Sequence, residues 1–345
     1  AAELAAPSPF AKDFTRPMAI PEEGIAAAVE VMRSGRLFRY CATSAETSHV
    51  AMAEKEFAEL VGMQYAVGVN SCSSAILLMM VTAGVRPGDA VLTNGFTFTA
   101  LPSTIMRLNA RPVLVETRDD FTMDLDDLEA KMDAHPDAKT LLLSHMRGKV
   151  CDMDRVAALC AARGVTLLED CAHGCGVTWR GRQLGYHGKL AAYSTQSDKV
   201  INSGEGGFVT TDDDAVAAQL IYLSGAYERR YNKHAVRPDD ALCEAAMREM
   251  PNLSVRMAEV TAAMMRPLIA NLPQRVDDYN RRWESVVAVL ESSAGETLAV
   301  PRGDARCGGV GDHLNFQLRE HVTPAQNEVF RQECAALGVP VSWFC

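Results

Sequence analysis

Seven short runs rich in Val, Leu and Ala punctuate the chain: Ala66–Asn70, Ala90–Asn94, Arg111–Glu116, Thr140–His145, Val165–Asp170, Leu190–Ser194 and Gly207–Thr211. They lack the polar alternation of a half-exposed strand, so each is expected to be buried on both faces, as in a parallel sheet covered by helices. Between them, apolar positions recur at helical spacing, as in Ser73–Ala83, Leu125–Ala134 and Asp154–Arg163. This alternation predicts an α/β fold with a mostly parallel central sheet flanked by helices. After about Arg275 the rhythm changes. A long amphipathic stretch, Val276–Leu290, is followed by a Gly-rich turn, a strand expected over His313–Leu318 and a helix over Pro324–Leu337. The apolar Trp343-Phe344-Cys345 reads as another strand, with more of the same domain expected beyond it. The chain therefore divides into an N-terminal segment with a large domain, residues 1–275, and a smaller C-terminal α+β domain, residues 276–345.

Composition narrows the function classes. A chain of 345 residues is too long for one simple core and suits this two-domain division. The 34 basic and 44 acidic residues leave a net charge of −10 with no basic stripe, which argues against nucleic acid as a partner. The longest apolar stretch, Ala75–Val85, is broken by Thr82 and Gly84 and is too short to span a bilayer, so no membrane association is expected. Ala1–Phe10 has no basic segment followed by an apolar one, so no secretory leader is expected. The ten cysteines form no Cys-x-x-Cys. Cys171, His173 and Cys175 lack the further ligands of a zinc site, so no metal is expected. Free thiols in a reducing cytoplasm are the simpler reading.

In open α/β sheets, ligands sit beyond the carboxyl ends of the strands. There the sequence places Leu167-Leu168-Glu169-Asp170-Cys171-Ala172-His173, then Tyr193-Ser194-Thr195-Gln196-Ser197-Asp198-Lys199, then Gly204-Glu205-Gly206-Gly207. An acid at one strand end and a lysine after the next is what pyridoxal phosphate (PLP) chemistry requires. The acid keeps the pyridine nitrogen protonated, and the lysine binds the cofactor's aldehyde and later shuttles a proton. Asp170 and Lys199 are the candidate catalytic residues. Ser73 and Ser74, at the start of a helix after a strand, suit a phosphate dianion, with Ser194 as a further hydroxyl. Phe98 follows a strand and suits stacking on a ring. Each residue alone has an ordinary reading: a helix cap for Asp170 or the serines, a solvated lysine, a core aromatic. Their combination carries the functional one.

With these motifs in place, the chain resembles the DegT/StrS-like sugar aminotransferases, from about Met18 to at least Ala263. Beyond the segments above, the likeness includes Ser34-Gly35-Arg36, Glu56-Phe57-Ala58, Pro87-Gly88-Asp89, Asp152-Met153-Asp154 and Arg256 before Ala262-Ala263. The resemblance implies a fold-type-I PLP-dependent transferase that moves an amino group from glutamate or glutamine to a keto sugar or similar ketone. It implies that Asp170 pairs with the pyridine nitrogen, Lys199 binds the cofactor, Ser194 holds phosphate and Phe98 stacks on the ring. It also implies a homodimer whose segment Pro251–Arg256 reaches the neighbouring cofactor's phosphate. The chain departs from the family's pattern at Cys72-Ser73, where Gly-Thr is usual. It departs again at His173, where a Gln is usual and which retains the ability to bond the cofactor, and at Ser254, where an Asn is usual. Asn252 lies two residues earlier and is favoured for that contact on reach. The likeness thus describes a divergent branch.

Two rival functions stand beside this one: another PLP reaction such as elimination or decarboxylation, and a non-catalytic PLP-binding homologue. Retention of both Asp170 and Lys199 speaks against the second. A nicotinamide enzyme would need a Gly-x-Gly-x-x-Gly after a strand, and none is present. Arg36, Arg39 and Tyr40 are candidate substrate contacts from the N-terminal segment.

Overall fold

The computed structural model describes residues 9–11, 13 and 16–342. Helices α1 (Glu22–Ser34) and α2 (His49–Val61) precede an alternating series: β1 (Tyr65–Val69), α3 (Cys72–Thr82), β2 (Ala90–Asn94), α4 (Ala100–Arg107), β3 (Arg111–Val115) and α5 (Leu125–Ala134). The series continues through β4 (Thr140–Ser144), α6 (Met153–Arg163), β5 (Thr166–Asp170), the small hairpin β6 (Thr178–Trp179) and β7 (Arg182–Gln183), β8 (Leu190–Ser194) and β9 (Gly207–Thr211). Four helices follow, α7 (Asp214–Ser224), α8 (Asp240–Glu249), α9 (Glu259–Ala270) and α10 (Leu272–Ala294). The chain then runs through β10 (Leu298–Ala299), β11 (Cys307–Gly308), β12 (Gln317–Leu318) and α11 (Pro324–Ala336).

All seven apolar runs are strands of one sheet, ordered β1-β9-β8-β5-β4-β2-β3. Neighbours from β8 to β3 are parallel, and only β9 runs against its partners β8 and β1. Burial on both faces explains the uniform composition. Leu141 and Leu143 of β4 enter one apolar layer and Leu142 the other, as the two-residue strand period requires. Side-chain caps mark several helix starts: Ser48 for α2, Ser71 for α3, Asp124 for α5 and Asp152 for α6. No helix among the described residues is long and apolar enough to cross a membrane.

The C-terminal part is organised differently. Helix α10 sets Val287 against Leu298 and Val300 in a small core of its own, bordered by Trp283, Leu314 and Phe316. Residues 275 and 276 both lie inside this continuous helix. The strand expected over His313–Leu318 shrinks to Gln317–Leu318, because its partner β10 offers only two residues to pair with. The run Trp343–Cys345 lies outside the described residues.

Candidate active site

Parallel pairing of β4 and β5 sets Ser144 directly beside Asp170. The Ser144 hydroxyl donates to Asp170 Oδ2 at 2.8 Å, and the Ala172 N–H donates to Oδ1 at 3.0 Å. Asp170 is buried, and burial raises its pKa above the ordinary aspartate value while Ser144 and Ala172 pull it down. Its hydrogen-bond donors are neutral. The adjacent Glu169 points to the other face, where it meets His145 Nε2 at 3.0 Å and the N–H groups of Gly185 and Gly188 at 3.0 and 2.5 Å. His145, Glu169 and Cys171 bring possible ligand atoms within 4.8 Å of one another, yet both Glu169 oxygens are already hydrogen-bonded.

Lys199 lies in the turn after β8, and its Nζ is 3.0 Å from His173 Nε2. An amine donating there requires a neutral imidazole with its proton on Nδ1. Burial, helped by the charge of Lys199 and by His313 and Arg147, pushes the His173 pKa down to about 2. Burial also lowers the pKa of Lys199, against the pull of Asp170.

Helix α3 aims its N-terminus at this site. Ser71 Oγ accepts the Ser74 N–H at 3.1 Å, and Ser74 Oγ donates to Asn70 Oδ1 at 2.7 Å. Ser73 is exposed on the first turn. Cys72 Sγ lies 4.0 Å from Asp170 Oδ1, so the helix start and the acid are neighbours. Gly207 permits this approach: a Cβ there would lie 3.0 Å from the Cys72 nitrogen and 2.5 Å from the Tyr193 carbonyl. Ser194, at the end of β8, accepts the Gln196 N–H at 3.3 Å.

Phe98 and Asn252 stand apart. Phe98, in the β2–α4 connection, leaves 62% of its surface exposed. Asn252 donates to the Ala226 carbonyl at 3.2 Å and accepts the Ser254 N–H at 2.9 Å, while Ser254 takes a left-handed φ of 53°. Both ends of the Asn252 amide are therefore engaged inside its own chain.

The N-terminal arginines need a correction. Arg39, expected to contact substrate, is 0% exposed and bonds Glu54 through two nitrogens at 2.6 and 3.0 Å. Tyr40 is buried with its hydroxyl 3.1 Å from His234 Nε2. These side chains hold the fold, and a charge so enclosed is closed to substrate. Arg36 stays exposed and lines a groove with Glu30, Ser34, Thr47, His49 and Glu259. Conversely, Ser144, Arg147 and His313 escaped the sequence reading. Ser144 was legible in principle, as the residue sharing a strand face with Leu142 at the end of β4. Nothing local marks His313.

The residues present fit PLP on two counts. A buried carboxylate whose hydrogen-bond donors are all neutral suits the N–H of a protonated pyridine nitrogen. A half-buried amine beside a neutral imidazole is also placed to react as a nucleophile.

The sequence profile of the DegT/DnrJ/EryC1/StrS aminotransferase family matches residues 19–326. The chain belongs to this family. It is 31% identical over 276 residues to the spore coat polysaccharide biosynthesis protein SpsC of Bacillus subtilis, covering 79% of this chain and 67% of that protein. Its matches span only 46 to 68% of the length of five curated relatives. The aminotransferase from Psychrobacter cryohalolentis superposes with a TM-score of 0.83 at 22% identity, over 95% of this chain and 83% of that one. A GDP-4-keto-6-deoxymannose-3-dehydratase with a trapped PLP-glutamate geminal diamine superposes with a TM-score of 0.78 at 20% identity, over 92% and 82%. The family's fold thus hosts more than one reaction.

Proposed function

We propose that this chain is a PLP-dependent aminotransferase that moves an amino group from glutamate or glutamine to a keto sugar or related ketone. The observation that carries this reading is the buried Asp170 carboxylate, bonded by neutral donors alone, in one site with the Lys199 amine. The match to a polysaccharide biosynthesis protein supports a sugar acceptor.

PLP supplies an aldehyde and an electron-accepting pyridine ring when bound. Asp170 holds the proton on the ring nitrogen, and its burial makes that charge pair strong. Lys199 would hold the cofactor through its amine, whose pKa burial lowers, and the same amine would serve as the proton carrier at this site. Ser73, Ser74 and the N–H groups of α3 hold the phosphate together with Ser194. His173, beside Lys199, would line the cofactor site, and the exposed Phe98 would supply an aromatic face for the ring. The working unit is a cytoplasmic homodimer in which Asn252 of one subunit turns from Ala226 to the other's phosphate. The large domain spans residues 1–275 and the small one 276–345. Sedimentation should show a dimer at micromolar concentration, tighter with PLP; an active monomer contradicts the shared site.

The deciding test mixes protein, PLP and glutamate and follows the visible band. Conversion to the pyridoxamine form, reversed by a keto sugar, is expected. Release of water from the sugar with no net amine transfer instead assigns an elimination. A band unchanged by glutamate and by glutamine assigns a binding protein.

A further inference from the structure

Four side chains from three segments form one contiguous line: Lys199, His173, His313 and Asp312. Lys199 Nζ meets His173 Nε2 at 3.0 Å. The rings of His173 and His313 pack with centroids 5.2 Å apart and planes at 65°. His313 Nδ1 lies 2.9 Å from Asp312 Oδ1. The last two residues come from the C-terminal part of the chain, and the loop that carries them is clamped from α10: Asn280 donates to the Gly309 carbonyl at 3.0 Å and accepts the Gly311 N–H at 2.8 Å. Gly311 packs against Trp283 and Tyr279 of the same helix with no room for a side chain. The loop leading into His313 is therefore held against α10.

From this arrangement we infer that His313 is a positioning residue for Lys199, acting through His173 and making the C-terminal part of the chain a component of the catalytic centre. The inference rests on Lys199 being the cofactor-binding amine. Lys199 Nζ and His173 Nε2 share one hydrogen bond, and His173 Nδ1 is a buried atom without a hydrogen-bond partner among the described residues. The side chain packed against that ring is His313. Removing it lets water reach Nδ1, frees the ring to turn or take up a proton, and reduces the burial that lowers the Lys199 pKa. The charged and titratable groups around the pair are Asp170, Cys72, Arg147, Asp312 and His313. Arg147 opposes protonation of both Lys199 and His173, so water in place of the His313 ring is the main change.

The test measures Lys199 itself. In PLP-free protein, competitive labelling with an anhydride, read by mass spectrometry across pH, gives the midpoint at which the Lys199 amine becomes reactive. In the PLP-loaded protein, the pH midpoint of the visible band gives a second reading. His313→Ala is expected to raise the labelling midpoint by about one unit and to move the band midpoint. His313→Gln, which keeps bulk and a donor, should restore most of the wild-type value. The exposed His321→Ala should change neither. An unmoved midpoint in a folded His313→Ala protein overturns the inference, as does an equal shift in His321→Ala. Should His313→Ala unfold, His313→Ser takes its place: a raised midpoint that His313→Gln restores upholds the inference, and an unmoved midpoint overturns it. If borohydride traps PLP on another lysine, the cofactor assignment fails. A band formed on Lys199 with an unmoved midpoint sinks only the role of His313.

Discussion

Two buried carboxylates in this molecule are solvated in opposite ways. Glu54, on α2, accepts two hydrogen bonds from Arg39 and the N–H of Gly68 at 2.8 Å, and lies 2.9 Å from His234 Nδ1. Burial works to raise its pKa, but Arg39 and His234 prevail and hold it at about 2. Asp170 is equally buried but receives a hydroxyl, an amide and a distant thiol, all neutral, and its pKa rises. One charge is complete within the chain. The other has no cation bonded to it among the described residues, and Lys199 and His145 act on it only through space. A buried acid whose hydrogen-bond donors are all neutral marks a candidate place for a ligand's charge, whereas a completed network marks structure.

Four substitutions test that contrast. The largest effect belongs to Lys199→Ala, expected to abolish both the band of lysine-bound PLP and turnover while the far-UV circular dichroism stays wild type. Borohydride fixation of PLP to Lys189 would overturn the assignment. Next, Glu54→Ala strands the Arg39 guanidinium in the interior and should cost about 3–5 kcal/mol in denaturant unfolding. A loss below about 1 kcal/mol would show that water reaches Arg39.

Asp170→Asn should behave in the reverse manner. Turnover is expected to fall roughly a hundredfold or more, the scale of losing a major electrostatic element, with no loss of stability in the PLP-free protein. The pH dependence carries the sign. The Glu54 pKa is lowered by folding, so its stabilisation is present above the ordinary glutamate value and is lost as pH falls toward about 2. The Asp170 pKa is raised, so its contribution is present below the ordinary aspartate value and is lost as pH rises through the folded one. Unfolding followed from neutral to acid pH should therefore show PLP-free Asp170→Asn more stable than wild type near neutrality. A variant less stable than wild type there would mean that the carboxylate already has a cation. The smallest effect is that of Ser144→Ala, which removes one neutral hydrogen bond and should cost about 1 kcal/mol or less, with the acid limb of the activity profile moved upward. An unmoved acid limb would remove Ser144 from the environment of the acid.

Much of this was legible along the chain. Three strands, Ala90–Asn94, Leu190–Ser194 and Gly207–Thr211, begin and end where the apolar pattern does. The acid–lysine pair follows from strand ends alone, because consecutive parallel strands deliver their C-terminal residues to one edge of the sheet. The N-terminal segment was misjudged for a physical reason. An arginine reads as available to solvent or substrate even beside Leu37, Phe38 and Tyr40, and only a carboxylate 15 residues away and a histidine 195 residues away let it be buried.

Local order along the chain thus determined the alternation of strand and helix, the parallel sheet, and the placement of Asp170 and of the Lys199 turn at its carboxyl edge, since each depends on periodicity and short-range spacing. Tertiary structure alone decided which charges are completed, which face water and which distant side chains join the site. Ser144 reaches Asp170 through strand pairing, and His313 reaches His173 from 140 residues away. A side chain's charge state depends on what surrounds it in space, and that company is assembled only when the chain folds.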